Sequence, residues 1–531
     1  MKGPRSIAGL ITAIVAGAVL VSLIVFAIIL GPSRAMHIAA AAALNIAVDG
    51  FAEDPDPHHI PVLDLAVDAH LLDSLQADLP WSGGDNVRAI LTDNGVAHKV
   101  KFRYRGVVTP SHFLGGKKSF RLSMKRSNPW LPYRKVNVIN PKAHNLVNDH
   151  MASWVAGNMG VPVPMNEMVF VRMNNADYGV MEMYEQVDGD FERNRHLGSH
   201  KIPVLKGDYP SVSDRTVPRG RTLWLDAAFW EDAGAKDTSE ARTMLRKLIT
   251  ALVPDTLPVE AHRDSIAKLI DVDTWIRYEA ALLVLNTIHV DQYHNQWLVL
   301  NPRTKRFYPV LWDALLMFAP PDEPLYYVND AMSWWTYHIP EWRLQRDRVA
   351  YEALVRLQRE GEFNARLDEV IERMKPSVLA DRNKYGNVTL LAEDVHRVSV
   401  LHVIGSLAAL RSNVAAHWER TLRRLEANDV QVKRDSLLHI ASRSEAPIQL
   451  TWSGPEQAVV VNGEAVVVEP HPMGWSCMLY RTLKPPPGGK DHPLADHQRL
   501  DVLPLNATVH FEDGIPASLV ITNAITDAAI E

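Results

Sequence analysis

Three side chains with oxygen donors, Asp291, Asn295 and Asp313, flank a segment whose pattern predicts a β-hairpin. Residues 296–300 and 306–311 are two β-forming runs, and the residues between them are turn formers. Antiparallel pairing of the two runs would place Asn295 and Asp313 at the open end of the hairpin, with Asp291 close by. We therefore expect the three oxygen donors to converge, although up to 22 residues separate them along the chain.

Such a group suits phosphoryl transfer with a divalent cation. Magnesium prefers carboxylate and amide oxygens, completed by phosphate oxygens and water. A further carboxylate can orient an attacking hydroxyl and accept its proton. The order of a base Asp, a metal-binding Asn, a hairpin and a metal-binding Asp occurs in protein kinases, although Trp312-Asp313-Ala314 stands here in place of their Asp-Phe-Gly. Polar residues at loop ends are also common as caps and turn anchors, so the pattern alone leaves that alternative open.

An alternative metal site would consist of His289, Asp291 and His294, which could hold zinc or iron for hydrolysis. The spacing lets His289 and Asp291 converge on one loop. No further ligand follows from the sequence, and His294 alone is equally typical of a loop histidine with ordinary hydrogen bonds.

The stretch Lys118–Met124 alternates and predicts a strand with Lys118, Phe120 and Leu122 on one face. A lysine on an apolar face should be paired or bound to an anion, because burying an unpaired charge is costly. Glu185, in a later β-like run, is the candidate partner. A lysine at a strand end can also extend into solvent, which is the alternative for Lys118.

Composition excludes several classes of protein. The 531 residues are 47% hydrophobic, and 56 basic against 62 acidic side chains give a formal charge of −6, so we expect no nucleic-acid partner. The one cysteine, Cys477, excludes an internal disulfide and a multi-cysteine zinc site.

The first residues predict a membrane anchor. Ile7–Leu30 carries no charged residue, and about 20 apolar residues suffice to cross a bilayer as a helix. Lys2 and Arg5 precede this run, which favours an N-terminus inside the cell and the remainder outside, in a periplasmic or extracellular location. A cleaved signal peptide is the alternative.

Composition and residue pattern divide the chain into four regions. We predict a cytoplasmic tail and anchor over residues 1–35, a linker over 36–59, a mixed α+β domain over 60–426, and a β-rich, sandwich-like domain over 430–531.

Several short motifs, in order, make the chain similar to the CotH kinase family, the atypical protein kinases that resemble spore coat protein H. The resemblance covers roughly Ile60 to Leu425. The segments that carry it are Phe102–Gly106, Lys117–Leu122, Tyr178–Val180, Glu185–Asp188, Val204–Lys206, Asp291 with Asn295, and Trp312-Asp313.

The resemblance implies a divergent two-lobed kinase fold that transfers the γ-phosphate of ATP, with Mg²⁺, to serine on proteins. With the predicted anchor, we expect the targets to be serine or threonine of surface or secreted proteins, with Mg²⁺ or Mn²⁺ as the metal. It also implies roles for individual residues. These are Asp291 as catalytic base, Asn295 and Asp313 as metal ligands, Lys118 with Glu185 at the phosphates, and Arg105 and Arg121 as further phosphate contacts.

The sequence departs from the family at Val107-Val108-Thr109, where a polar run is usual in a loop expected to cover the nucleotide. Three functions follow as expectations. The first is a membrane-anchored kinase, and the alternative is a non-catalytic envelope or coat-like assembly protein that keeps the kinase fold. The third is a glycan- or envelope-binding protein whose activity resides in the C-terminal β-rich domain.

Overall fold

The computed structural model describes residues 59–530 with gaps, together with isolated helical positions between 17 and 28. The gaps fall at 78, 80–84, 107–116, 126–129, 131–132, 142, 192–201, 209–221, 236, 254–256, 318–324, 382, 384–399 and 495–497. The predicted linker and the segment Val107–Thr109 therefore lie outside the described residues, apart from the linker's last position.

Seven strands form a closed barrel in the order β1-β2-β3-β4-β5-β7-β6. The ring closes because β1 pairs antiparallel with β2 and parallel with β6. Side chains that alternate along the strands fill the interior, among them Phe102, Phe120 and Met183. The strands are β1 (Val62–Val67), β2 (Val87–Asp93), β3 (Val96–Tyr104), β4 (Phe120–Met124), β5 (Lys135–Ile139), β6 (Asn166–Met173) and β7 (Ala176–Glu185), with helix α1 (Ala69–Ala77) after β1.

The hairpin between β6 and β7 shows how local chemistry determines the register. Asn174 and Asn175 have φ values of 52° and 64°, the left-handed conformation that a two-residue hairpin turn requires and that asparagine tolerates. Met173 consequently pairs with Ala176.

A helical unit follows the barrel, and helix α2 lies between β5 and β6. Helix α5 begins after Asp271, whose side chain accepts a hydrogen bond from Thr274 N, and ends at Asn286 in the left-handed conformation. The helices are α2 (Asn148–Asn158), α3 (Ser239–Leu252), α4 (Val259–Ala267), α5 (Val272–Leu285), α6 (Ala331–His338), α7 (Pro340–Leu354), α8 (Glu362–Ala380) and α9 (Val400–Glu426).

A small sheet of order β11-β10-β8-β9 lies between the barrel and the helices. Its apolar side chains share a core with Ile139 and Tyr184 of the barrel. The strands are β8 (Val204–Gly207), β9 (Glu231–Asp232), β10 (Gln296–Leu300) and β11 (Phe307–Pro309).

The β-rich C-terminal region that the sequence predicts is present. A five-stranded and a four-stranded sheet share one core, which includes Ile440 from the first and Leu450 from the second. The first contains β13 (Val430–Arg434), β14 (Leu438–Ser442), β16 (Val459–Val461), β17 (Glu464–Val466) and β23 (Leu505–Phe511). The second contains β15 (Ile448–Trp452), β18 (Val468–His471), β19 (Gly474–Leu479) and β24 (Val520–Asn523).

Two further strand pairs lie beside this region. β12 (Tyr327–Val328) pairs with β21 (Gln498–Arg499), and β20 (Leu483–Lys484) pairs with β22 (Asp501–Val502). The first of these pairs joins the helical unit to the C-terminal region. Taken together, the helices, the barrel and the sheets confirm the predicted mixed α+β class.

One prediction requires correction. Among the residues that the structure describes, no helix has the length and apolar character needed to cross a bilayer. This finding contradicts the predicted localisation as a single-pass membrane protein with its catalytic domain outside. The prediction depended on the apolar run Ile7–Leu30 and on the basic residues before it, and nearly all of this segment lies outside the described residues.

Candidate active site

The hairpin predicted around the acidic residues is present. Strands β10 and β11 pair antiparallel, with Leu298 opposite Pro309 and Leu300 opposite Phe307. The hydrogen bond from Val310 N to Trp297 O extends the pairing toward the open end. This register brings the segment before β10 next to the segment after β11.

His289 lies at the centre of the group formed there. Its Nδ1 is 2.6 Å from the backbone oxygen of Asp313 and 3.8 Å from Asp313 Oδ2. Asn295 Nδ2 donates to His289 O at 3.0 Å and lies 3.3 Å from His289 Nδ1. Because the amide nitrogen of Asn295 faces His289, its amide oxygen is the atom that it could offer to a cation. The structure therefore brings Asn295 and Asp313 together around a histidine.

Backbone strain marks both of these residues. Asn295 has a φ of 61° and Asp313 a φ of 55°, a region that L-residues occupy uncommonly. Such conformations persist where the surrounding structure imposes them, and they are frequent at functional sites. The strain is consistent with a site in which the direction of the side chains is kept at the cost of an unfavourable backbone conformation.

Asp291 is held by its own loop. Its Oδ1 accepts hydrogen bonds from Tyr293 N at 2.7 Å and His294 N at 2.8 Å. His294 Nδ1 lies 3.1 Å from Asp291 Oδ1 and 3.3 Å from Oδ2, and this carboxylate raises the pKa of His294. Asp291 thus anchors a turn, which is the alternative that the sequence left open, and this anchoring involves Oδ1 more than Oδ2.

A buried hydrogen-bond network supports this loop from the helical side. Gln296 Nε2 donates to Asp291 O at 2.9 Å and to Asp330 Oδ2 at 2.7 Å. Asp330 Oδ1 caps helix α6 by accepting from Ser333 N, and Ser333 Oγ donates to Glu279 Oε1. Burial, together with the nearby Asp330 carboxylate, raises the pKa of Glu279 to about 8. The loop is therefore fixed to the helical core through its backbone.

Three arginines gather on the barrel side of the site. The Arg105 guanidinium lies 5.8 Å from the centre of the Trp312 ring. Burial lowers the pKa of Arg105, and the Asp313 carboxylate partly offsets that effect. Burial and repulsion from Arg105 and Arg103 lower the pKa of Arg121 to about 9. A group of like charges in a partly buried place is suited to receive an anion.

Arg121 is oriented by two amide side chains. Its Nε donates to Asn137 Oδ1 at 2.7 Å, and its Nη2 donates to Gln186 Oε1. The two predicted phosphate contacts, Arg105 and Arg121, thus lie close enough to interact, and Arg105 interacts electrostatically with Asp313.

The sequence did not indicate Glu182. This residue of β7 is buried and accepts a hydrogen bond from Asn166 Nδ2 at 2.7 Å. Burial and the nearby Asp149 carboxylate raise its pKa well above the usual range, and Asp313 adds to the effect. Its burial on the face opposite Met181 and Met183 could not be read from alternation, because both faces of β7 are covered.

Lys118 and Glu185 do not lie opposite each other. The register aligns Leu122 with Val136 and Val136 with Glu185, so Glu185 is level with a residue four positions after Lys118. At about 3.3 Å per residue, this offset is about 13 Å along the strand direction. Glu185 Oε2 lies 3.4 Å from Met165 N. The register gives no support for pairing these two side chains.

The buried lysine of this segment is Lys117. The strand begins only at Phe120, so the alternation used to place Lys118 on the apolar face does not extend back to it. Lys117 Nζ lies 2.7 Å from Asp381 Oδ2, and both side chains are almost fully buried. Asp381 Oδ2 also accepts from Val180 N at 2.9 Å. Only glycine fits at position 179, because a Cβ there would lie 2.2 Å from Asp381 Oδ1.

A divalent cation fits the oxygen donors only in part. Among the described residues, no group of three or more His, Cys, Asp or Glu side chains could hold a metal ion by itself. This does not support the zinc or iron reading of His289, Asp291 and His294. Magnesium, in contrast, usually takes one or two carboxylates and completes its shell with phosphate oxygens and water, and Asp313 with Asn295 fits that donor set.

Comparison with known proteins agrees with the resemblance seen in the sequence. The family model described as CotH kinase protein matches residues 102–406, more than half of the 531 residues. Inner spore coat protein H of Bacillus subtilis (strain 168) is 25% identical over 261 residues, which cover 48% of this chain and 68% of that protein. The hairpin and the loop with Asp291 lie inside the matched range, whereas β1, β2 and the C-terminal sheets lie outside it.

Proposed function

We propose a phosphotransfer function from one premise: the chain belongs to the CotH kinase protein family. The proposed reaction moves the γ-phosphate of ATP to a serine or threonine hydroxyl of a protein. The observation that carries this proposal is the meeting of Asn295 and Asp313 at the open end of one hairpin, with Arg105 facing Asp313.

The barrel and the helical unit correspond in this proposal to the two lobes of a kinase. The barrel supplies Arg105 and Arg121, whose charges favour binding of the nucleotide phosphates. Lys118 remains a proposed phosphate contact, since it lies two residues before the strand that carries Arg121. Glu185 remains a proposed residue of the nucleotide side, but the register argues for a role other than pairing with Lys118.

Asp291 is the proposed base. The substrate hydroxyl oxygen would attack the γ-phosphorus, its proton would pass to Asp291, and ADP would leave. Oδ2 is the atom favoured for this role, because Oδ1 already accepts two backbone N–H groups. The bonds to Oδ1 fix the carboxylate in one orientation, which a base requires.

Asn295 and Asp313 would hold Mg²⁺ or Mn²⁺ together with phosphate oxygens. The metal, when bound, would neutralise charge that develops on the phosphates. His289 would orient both ligands, because it contacts the amide of one and the backbone of the other.

Transfer of labelled γ-phosphate from ATP to the chain itself or to a bystander protein tests the proposal. Asp291→Asn keeps an oxygen that can accept the two backbone hydrogen bonds, so the loop is preserved while the base is lost. We expect turnover to fall by about 10²–10⁴-fold, the usual contribution of a general base.

Asp313→Asn should weaken metal-dependent transfer, and the matched control Asp264→Asn, at an acid whose side chain is 61% exposed, should leave it unchanged. Equal labelling by the wild type and the Asp291→Asn variant would refute the assignment of the base.

A non-catalytic assembly function is the second candidate, and the anchoring of Asp291 favours it. A carboxylate that holds a turn and contacts His294 has a structural role without any chemistry. Under this function, ATP would raise the melting temperature without a divalent cation, and no phosphate would be transferred.

A further inference from the structure

The C-terminal region contacts the helical unit through a two-strand ribbon. β21 pairs antiparallel with β12, with Arg499 opposite Tyr327 and Gln498 opposite Val328. Leu500 N also donates to Tyr326 O at 2.8 Å, and Leu500 is buried in the main apolar core. Val328 and Gln498 of the ribbon are also buried, whereas the Arg499 side chain is exposed. The ribbon thus has one face in the folded interior.

The ribbon leads directly to the loop of Asp291. The residue after β12 is Asn329, whose backbone oxygen accepts a hydrogen bond from Gln292 N at 3.1 Å. The next residue is Asp330, which holds Gln296 and thereby the backbone oxygen of Asp291. One short strand therefore joins the C-terminal region to both sides of the loop.

Further side-chain hydrogen bonds join the C-terminal region to the helical unit. Arg343 Nη2 donates to Arg481 O, and Arg481 Nη2 donates to Leu503 O at 2.8 Å. Trp334 Nε1, in helix α6, donates to Asp491 Oδ1 at 3.2 Å. Arg343 lies in helix α7, whereas Trp334 lies in α6, the helix that Asp330 caps. The C-terminal region therefore contacts both of the helices that follow β12.

We propose that the C-terminal β-rich region positions the catalytic loop, with the β12–β21 ribbon as the connecting element. The region contributes no atom to the reaction in this proposal. It holds Asn329 and Asp330 in place, and these two residues fix the loop that presents Asp291. The expected effect on turnover rests on the proposed function. The structural coupling between the ribbon and the Asp291 loop does not depend on that function.

Two proline variants of the full chain separate the link from general damage. In an antiparallel pair, bonded and non-bonded residue pairs alternate, so the bond at Tyr326–Leu500 implies bonds at Val328–Gln498 and none at Tyr327–Arg499. Gln498→Pro removes a donor of the ribbon. Arg499→Pro, one residue along, removes an N–H that points away from β12 and is the matched control.

Hydrogen exchange gives the direct readout. We expect Gln498→Pro to speed exchange of the amides of Gln292, Tyr293 and His294 by about 3- to 10-fold, the worth of one hydrogen bond, and Arg499→Pro to leave them unchanged. With ATP and metal, Gln498→Pro should lower kcat by about 10- to 100-fold with little change in KM for ATP. Unchanged loop exchange in Gln498→Pro would overturn the proposal, whether or not the chain transfers phosphate.

A measurement on the unaltered chain serves if the variants do not fold. In low denaturant, the amides of Gln292 and Leu500 should exchange with the same opening free energy, because the loop and the ribbon open together. Exchange of Gln292 through openings that leave Leu500 protected would overturn the link. Absence of phosphate transfer by the wild type would instead count against the proposed function alone.

Discussion

The buried ion pair of Lys117 with Asp381 gives the sharpest test of how the barrel is joined to the helical unit. Lys117 precedes β4, and Asp381 follows the last residue of α8, so the pair ties the two units across 264 positions of the chain. We consider the replacement Lys117→Met, which keeps the length of the side chain and removes its charge.

Removal of one partner from a buried pair leaves the other charge without compensation and typically costs about 3–5 kcal/mol. Asp381 keeps hydrogen bonds from Val180 N at 2.9 Å and Asn383 N at 2.7 Å. We therefore expect the lower end of this range, about 3 kcal/mol. Asp381→Asn should cost a similar amount, because it leaves the Lys117 ammonium buried and unpaired.

The double variant Lys117→Met/Asp381→Asn has no charge left at this buried position. Its free energy of unfolding should therefore lie at least about 2 kcal/mol above the value expected from adding the two single losses. Urea unfolding, followed by hydrogen-exchange mass spectrometry of barrel peptides, measures the four proteins of this cycle. Lys101→Met, at an exposed lysine of β3, is the control and should change little. Losses that add to within about 0.5 kcal/mol would refute the argument that the pair acts as a unit.

Two further predictions concern single side chains. Arg121→Gln should raise the KM for ATP by about 10- to 100-fold, the worth of a charged hydrogen bond. The melting temperature should change little, because removal of one of three mutually repelling charges offsets the loss of the hydrogen bonds to Asn137 and Gln186. Arg88→Gln, on the exposed face of β2, is the control, and an unchanged KM would contradict the phosphate assignment. Glu279→Gln should flatten the dependence of stability on pH. The pKa of Glu279 is raised to about 8 in the folded chain, so the folded state keeps a proton that the unfolded state loses, and wild-type stability should fall by up to about 1.4 kcal/mol per unit as pH rises from about 4.5 to 8. Urea unfolding at three pH values measures the slope of stability against pH, with Glu260→Gln, at an exposed glutamate, as the control. Equal slopes in the wild type and in Glu279→Gln would contradict the prediction.

Local patterns predicted those parts of the site that depend on neighbouring residues. The turn formers between β10 and β11 indicated the hairpin, and its register brings Asn295 and Asp313 together. The same reasoning did not identify the lysine that is buried. Alternation was extended back to Lys118, but the strand begins at Phe120 and the chain before it turns Lys117 inward.

Contacts between distant segments could not be predicted in this way. Nothing in the neighbourhood of Asp381 indicates that it fills the space beside Gly179, and two-residue strands such as β12 and β21 carry no periodicity. Such contacts depend on tertiary packing, which a single sequence does not display. The apolar run Ile7–Leu30 illustrates the opposite error, since hydropathy and flanking charge led to a localisation that the described helices do not support.

The closed barrel has a consequence for any shortened version of the chain. The family match begins at Phe102, after β1, β2 and most of β3. A fragment cut at that boundary would lack the strands that close the ring, and the outer side of β6 would expose a row of unpaired N–H and C=O groups. Bare sheet edges of this kind invite pairing between molecules, and so aggregation. Fragments intended for crystallisation should therefore keep the chain from β1 onward.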